Sequence, residues 1–104
     1  MDMKRSEKII KVAAKIEAVL NECPTPTPNQ SIPRRIHFLA GQLSGCDHYA
    51  MEKAYEIAHW ASIFYSARKH AKYPGGSSSL WTKMALDLLE RIRTQAKSRE
   101  AAGD

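Results

Sequence analysis

Apolar residues recur at helical spacing near the start of the chain: Ile9, Val12, Ala13, Ile16, Val19, Leu20 and Cys23. On a helix turning about 100° per residue they share one face. Lys4, Lys8, Lys11 and Lys15 fall elsewhere, within roughly 60° of one another. The pattern predicts an amphipathic helix over residues 3–22, with Glu7 and Lys11 placed to pair one turn apart.

The next stretch, CPTPTPNQSIP, breaks this periodicity. Alternating prolines cannot continue a helix and favour an extended path. Residues 24–31 at ~3.1 Å each span about 25 Å, nearly the length of the first helix. Such a linker permits two arrangements. It carries the chain back so that the second helix runs parallel to the first, or it lets the first helix swing onto a second copy.

Ser31, Ile32 and Pro33 read as a helix start, with proline in the first turn. Ile32, Ile36, Leu39, Ala40 and Leu43 supply the apolar face of a helix over residues 33–44. Gly45 suits a helix end and Asp47 the next N-cap. A third helix is predicted over residues 47–72. Met51, Ala54, Tyr55, Ala58, Ala61 and Tyr65 form its stripe, widened by Ile57, Trp60, Phe64 and Ala67. An apolar surface that wide predicts a central helix. YPGGSSS ends it, and a serine, Ser78 or Ser79, caps a fourth helix over residues 79–98. Leu80, Trp81, Met84, Ala85, Leu88, Leu89 and Ile92 line that helix, with Asp87 and Arg91 paired outside. The tail, residues 99–104, is expected to fray. No β-type alternation and no repeat interrupts this series. The fold expected is all-α: one four-helix bundle-like domain over residues 1–104, with a proline-rich linker between helices 1 and 2.

Composition adds limits. A chain of 104 residues buries about two thirds of its unfolded surface and needs no staple. Cys23 and Cys46 allow one bridge at most, and two unpaired thiols fit a reducing, cytoplasmic compartment. No apolar run approaches the ~18 residues of a membrane helix. The net charge of +5 is spread along the chain rather than gathered in one segment, which argues against a protein dedicated to coating DNA.

Four groups of residues invite a chemical reading. His37, His48, His59 and His70 lie eleven residues apart. Eleven helical residues rise about 16 Å, too far for one ion to hold two of them unless another helix supplies partners. No metal and no cofactor is expected. Cys46, Asp47 and His48 are adjacent, and neighbours on a helix point apart, so a Cys–His nucleophile is not expected either. Arg68, Lys69, His70 and Lys72 precede Ser77, Ser78 and Ser79 at a glycine-rich turn that opens a helix. Free amides there attract phosphates, although a C-cap, a turn and an N-cap account for the same residues. FLAGQLSGCDHYAMEKA has small residues spaced like a helix-turn-helix, but Asp47, Glu52 and Glu56 oppose a phosphate backbone.

Trp60, Phe64, Tyr65 and Trp81 at helical spacing read as core rather than a base-stacking platform. The lysine stripe reads first as the wet side of a helix, and as a contact surface where Arg34 and Arg35 add to it. The function expected is therefore non-enzymatic: a small interaction or regulatory protein that binds a protein partner through Lys4, Lys8, Lys11, Lys15, Arg34 and Arg35. A nucleic acid is the alternative partner for the same residues, and an anion at the glycine–serine corner the second alternative. A homodimer by exchange of the first helix is compatible with the linker.

Overall fold

A computed structural model describes residues 4–23, 28–66 and 78–103. It contains four helices: α1 (Arg5–Glu22), α2 (Ser31–Gly41), α3 (His48–Phe64) and α4 (Ser78–Ala101). There is no strand among the described residues. α1 packs against α2 and α4, and α3 packs against the same two. The helices thus stand at the corners of a four-helix bundle. Ile9, Ile16, Ile36, Leu43, Ile57, Phe64, Leu89 and Ile92 are buried between them. Each such side chain removed from water is worth about 1.5–3 kcal/mol. The predicted apolar faces of α1 and α2 are the ones that fill this core.

α1 and α2 run antiparallel, which corrects the parallel arrangement the linker length permits. The Glu22 carboxylate at the end of α1 meets Arg35 near the start of α2. At the opposite end the Cys46 thiol donates to the Arg5 carbonyl at 3.7 Å. Tyr65 explains the tight return. Its hydroxyl donates to the Cys23 carbonyl at 2.5 Å, and its own carbonyl accepts from the Asn29 amide at 3.0 Å. Cys23 and Asn29, on either side of the prolines, are thus tied to one residue, so α2 begins beside the end of α1.

The same residue accounts for the end of α3. The expected helix ran to residue 72, but α3 stops at Phe64 with Tyr65 as its C-cap. Terminal carbonyls of a helix lack intrahelical partners. Tyr65 offers its carbonyl to the Asn29 amide and to the Gln30 side chain, at 3.0 Å each. α3 is also not central; like each of the others it has two neighbours. Its alanines (Ala50, Ala54, Ala58 and Ala61) are buried against them, while Met51, Tyr55 and Trp60 sit half-buried at the core margin.

α2 is displaced from the expected 33–44. The Asn29 side chain accepts from the Ser31 amide and hydroxyl, so the helix opens at Ser31 with Pro33 in its first turn. It closes at Gly41, and a run of tight turns through Cys46 follows. Gly45 sits there at φ +76. Asp47 then caps α3 as expected, accepting from the Ala50 amide at 2.7 Å.

The tail does not fray as far as expected. α4 continues to Ala101, and Arg99 on its last turn pairs with the buried Asp47. Gln95, one turn earlier, donates to the same carboxylate at 2.9 Å. Burial of Asp47 by itself pushes its pKa up. Hydrogen bonds from Gln95, the Ala50 amide and Arg99, with the Arg99 charge, outweigh burial and hold it below the usual carboxylate range.

Candidate functional site

The residues proposed for partner contact come together on one side of the bundle. α1 and α2 share the smallest interface of the neighbouring helix pairs. A groove of about 470 Å³ remains along their seam. Ala18, Val19 and Leu39 form its apolar floor, Lys15 and Glu22 border it on α1, and Arg34, Arg35 and Phe38 border it on α2. Lys15 also borders a smaller hollow beyond, of about 300 Å³, shared with Lys8, Lys11 and Gln42. Lys8, Lys11 and Lys15 therefore face the α2 side of α1; Arg34 and Arg35 look across at Lys15, and Lys8 and Lys11 lie toward the Gln42 end. Lys4 is exposed just before α1.

Only one of these cations is neutralised. Arg35 forks onto Glu22 through two hydrogen bonds of 2.9 and 2.7 Å. That hydrogen bonding holds the Glu22 carboxyl below its ordinary pKa. Among the described residues, Lys8, Lys11, Lys15 and Arg34 have no acidic partner. Lys11 does not take the expected partner, Glu7, and Glu17 turns away to Arg93 on α4. The groove thus carries a positive rim whose nearest carboxylate is already engaged.

Phe38 is the member of this face that the periodicity did not single out. It is 70% exposed, the largest exposure among the big apolar side chains described. The available signal was its position: it stands off the stripe of Ile32, Ile36, Leu39 and Ala40, one turn after Arg34. An aromatic side chain outside the buried face of an amphipathic helix has no core role to explain it.

A second hollow, of about 540 Å³, lies between α2 and α3 and is lined in part by Arg34, His37, Tyr55 and His59. Antiparallel packing places His37 and His59 on opposite banks of it, a proximity that spacing along one helix excludes. The His37 ring lies tilted on Tyr55, with centroids 4.9 Å apart. His48 is elsewhere, paired with Glu52 at 2.9 Å. Among the described residues, no group of three or more His, Cys, Asp or Glu gathers to hold a metal ion.

The other sequence candidates are dispersed. Cys46 and Asp47 are buried, while the His48 side chain is 77% exposed, so the three do not converge. Phe64 and Tyr65 are buried and offer no stacking face. α2 and α3 pack lengthwise as a hairpin, and Glu52 and Glu56 are exposed on α3. Arg68, Lys69, His70, Lys72 and Ser77 lie outside the described residues; Ser78 and Ser79 form the first residues of α4. No helix among the described residues is long and apolar enough to cross a membrane.

No protein-family model matches the chain, and neither the characterised proteins nor the solved structures contain a significant match.

Proposed function

We propose that this protein is a small interaction module that binds an acidic protein partner through its α1–α2 face and performs no chemistry of its own. One observation carries this reading: Lys15 and Arg34, neither with an acidic partner among the described residues, border an apolar floor beside the exposed Phe38, and Lys8 and Lys11 line the adjoining hollow that shares Lys15. An apolar centre inside a charged rim is the anatomy of a protein interface. Aromatic and arginine side chains are the types that most often anchor such contacts. Complementary charge at the rim speeds encounter and rejects unsuitable partners.

The apolar floor favours a protein over a nucleic acid as the partner. Phosphate contacts satisfy cations but leave Ala18, Val19 and Leu39 without apolar contact. A second copy of the chain is disfavoured at this face, because it sets the same cations against each other.

Affinity capture from source cells, with and without nuclease, tests the reading. Wild type is compared with Phe38→Asp and with a Lys11→Glu/Lys15→Glu double variant. The expected result is a nuclease-resistant protein retained by wild type and lost by both variants. Capture that nuclease abolishes, or that neither variant alters, refutes the proposal.

A further inference from the structure

We infer that the occupant of the α1–α2 groove is a single acidic, amphipathic helix presented by the partner; this inference rests on the reading of that face as a protein-binding surface. Charge comes first. The one groove carboxylate, Glu22, is held by Arg35, so an incoming segment meets uncompensated positive charge. A net charge of +5 over the whole chain strengthens the preference for an acidic segment.

Shape comes second. Two antiparallel helices leave a trough along their seam, and a third helix seats in it by the same packing that builds bundles. The groove, bordered on α1 by Lys15 and Glu22, adjoins at Lys15 the hollow lined by Lys8 and Lys11; from Lys8 to Glu22 the two together run about 21 Å, the length of roughly 14 helical residues. The small Ala18 side chain lets a backbone approach closely, and Phe38 stands ready to insert between apolar residues of the incoming face. Apolar positions at i, i+4, i+7 and i+11 run past Leu39, Val19 and Ala18 and on to Val12 in the adjoining hollow, and acids on either flank meet Lys8, Lys11, Lys15 and Arg34. The other common peptide mode, strand addition, needs an open sheet edge, and no strand exists among the described residues.

Fluorescence anisotropy with the full chain tests this. The probes are a peptide of about 15 residues with leucines at those positions and glutamates on both flanks, a scrambled peptide of identical composition, and a single-stranded oligonucleotide of matching charge. The patterned peptide is expected to bind at least about tenfold more tightly than the scramble and to lose about tenfold on Phe38→Ala. Its circular dichroism should show helix gained on binding. Raising salt from about 0.05 to about 0.3 M should weaken binding several-fold without abolishing it.

Equal binding by the scramble or the oligonucleotide, no binding by the patterned peptide, or indifference to Phe38→Ala overturns the helical occupant. A dimer in sedimentation velocity that Phe38→Asp disperses overturns it too. If these fail while capture from cells still depends on Phe38 and the lysines, the binding face stands and only its occupant is wrong.

Discussion

The Asp47 carboxylate, capping the start of α3, is also the anchor for Arg99 on the last turn of α4. One oxygen accepts from the Ala50 amide, and the other accepts from Arg99 and Gln95. The Asp47 side chain is 1% exposed. A single buried charge thus closes the bundle at the end where α3 begins and α4 finishes.

Removing that charge should be costly. Asp47→Ala deletes a cap worth about 1 kcal/mol and leaves Arg99 half-buried without its carboxylate. Breaking buried pairs by removing one partner costs about 3–5 kcal/mol; Arg99 remains partly solvated, so the lower end applies. Asp47→Asn keeps an acceptor for the Ala50 amide and should lose less than Asp47→Ala. Urea denaturation should order them wild type, Asn, Ala. Truncation before Arg99 should also destabilise, whereas a frayed tail predicts no change.

Stability should fall in acid through the same group. The folded-state pKa of Asp47 lies below the unfolded value of about 3.9. Between the two values the unfolded chain binds more protons, so stability rises with pH across that window. The contribution is fully present above the unfolded pKa and is lost as pH falls through the folded one. Thermal melts from neutral pH downward should show a steeper acid loss for wild type than for Asp47→Asn.

Tyr65 makes the second long-range closure, and it is separable. Tyr65→Phe deletes the hydroxyl bond to the Cys23 carbonyl and keeps the backbone bond to Asn29. The net cost of such a bond is about 1 kcal/mol. Hydrogen exchange should accelerate most in the last turn of α1, while the Asn29 amide keeps its protection. Uniform acceleration across all four helices contradicts this division of labour.

The two glycines of the α2–α3 corner should respond oppositely to alanine. Gly45 has φ +76, where an L side chain is strained although no atom lies within 4 Å of an added Cβ. Gly45→Ala should cost about 1 kcal/mol, and Gly45→Asn less. Gly41 has an ordinary helical backbone, and its added Cβ meets only the Tyr55 hydroxyl at 3.5 Å. Gly41→Ala should stabilise by about 0.5 kcal/mol. Chemical melts of the two variants give the signs directly.

These closures mark where the sequence was legible and where it was not. Ile9, Val12, Ala13, Ile16 and Val19 announce their burial because every helical turn repeats the choice. Asp47 announces its cap because the partner amide is three residues away. Arg99 carries no local sign of its partner 52 positions back, and a charged tail reads as solvated until α4 is docked. Tyr65 looks like one more stripe residue, yet its hydroxyl and carbonyl reverse the chain direction that the proline linker left open. Phe38 was visible as an aromatic off the stripe, but its value depends on the lysines of α1, which only the antiparallel return sets beside it.

The basic rim itself should cost stability, and this separates binding from folding. Lys8, Lys11 and Lys15 are like charges three and four residues apart on one helix, an arrangement that destabilises by about 0.2–0.5 kcal/mol per pair. Lys11→Glu replaces two repulsions, with Lys8 and Lys15, by two attractions and sets one new repulsion against Glu7, so its melting temperature should rise by a small amount at low salt. Because the charges are exposed, that gain should vanish near 0.5 M salt, where the Debye length falls to roughly 4 Å. Phe38→Asp touches a side chain that is 70% exposed and should leave stability within about 0.5 kcal/mol of wild type. A lysine stripe kept only to hydrate α1 has no reason to bear this repulsion, whereas a partner-binding face does. Melts of Lys11→Glu across a salt series check this: a gain confined to low salt shows that the fold does not need the lysine, and a loss shows that it does.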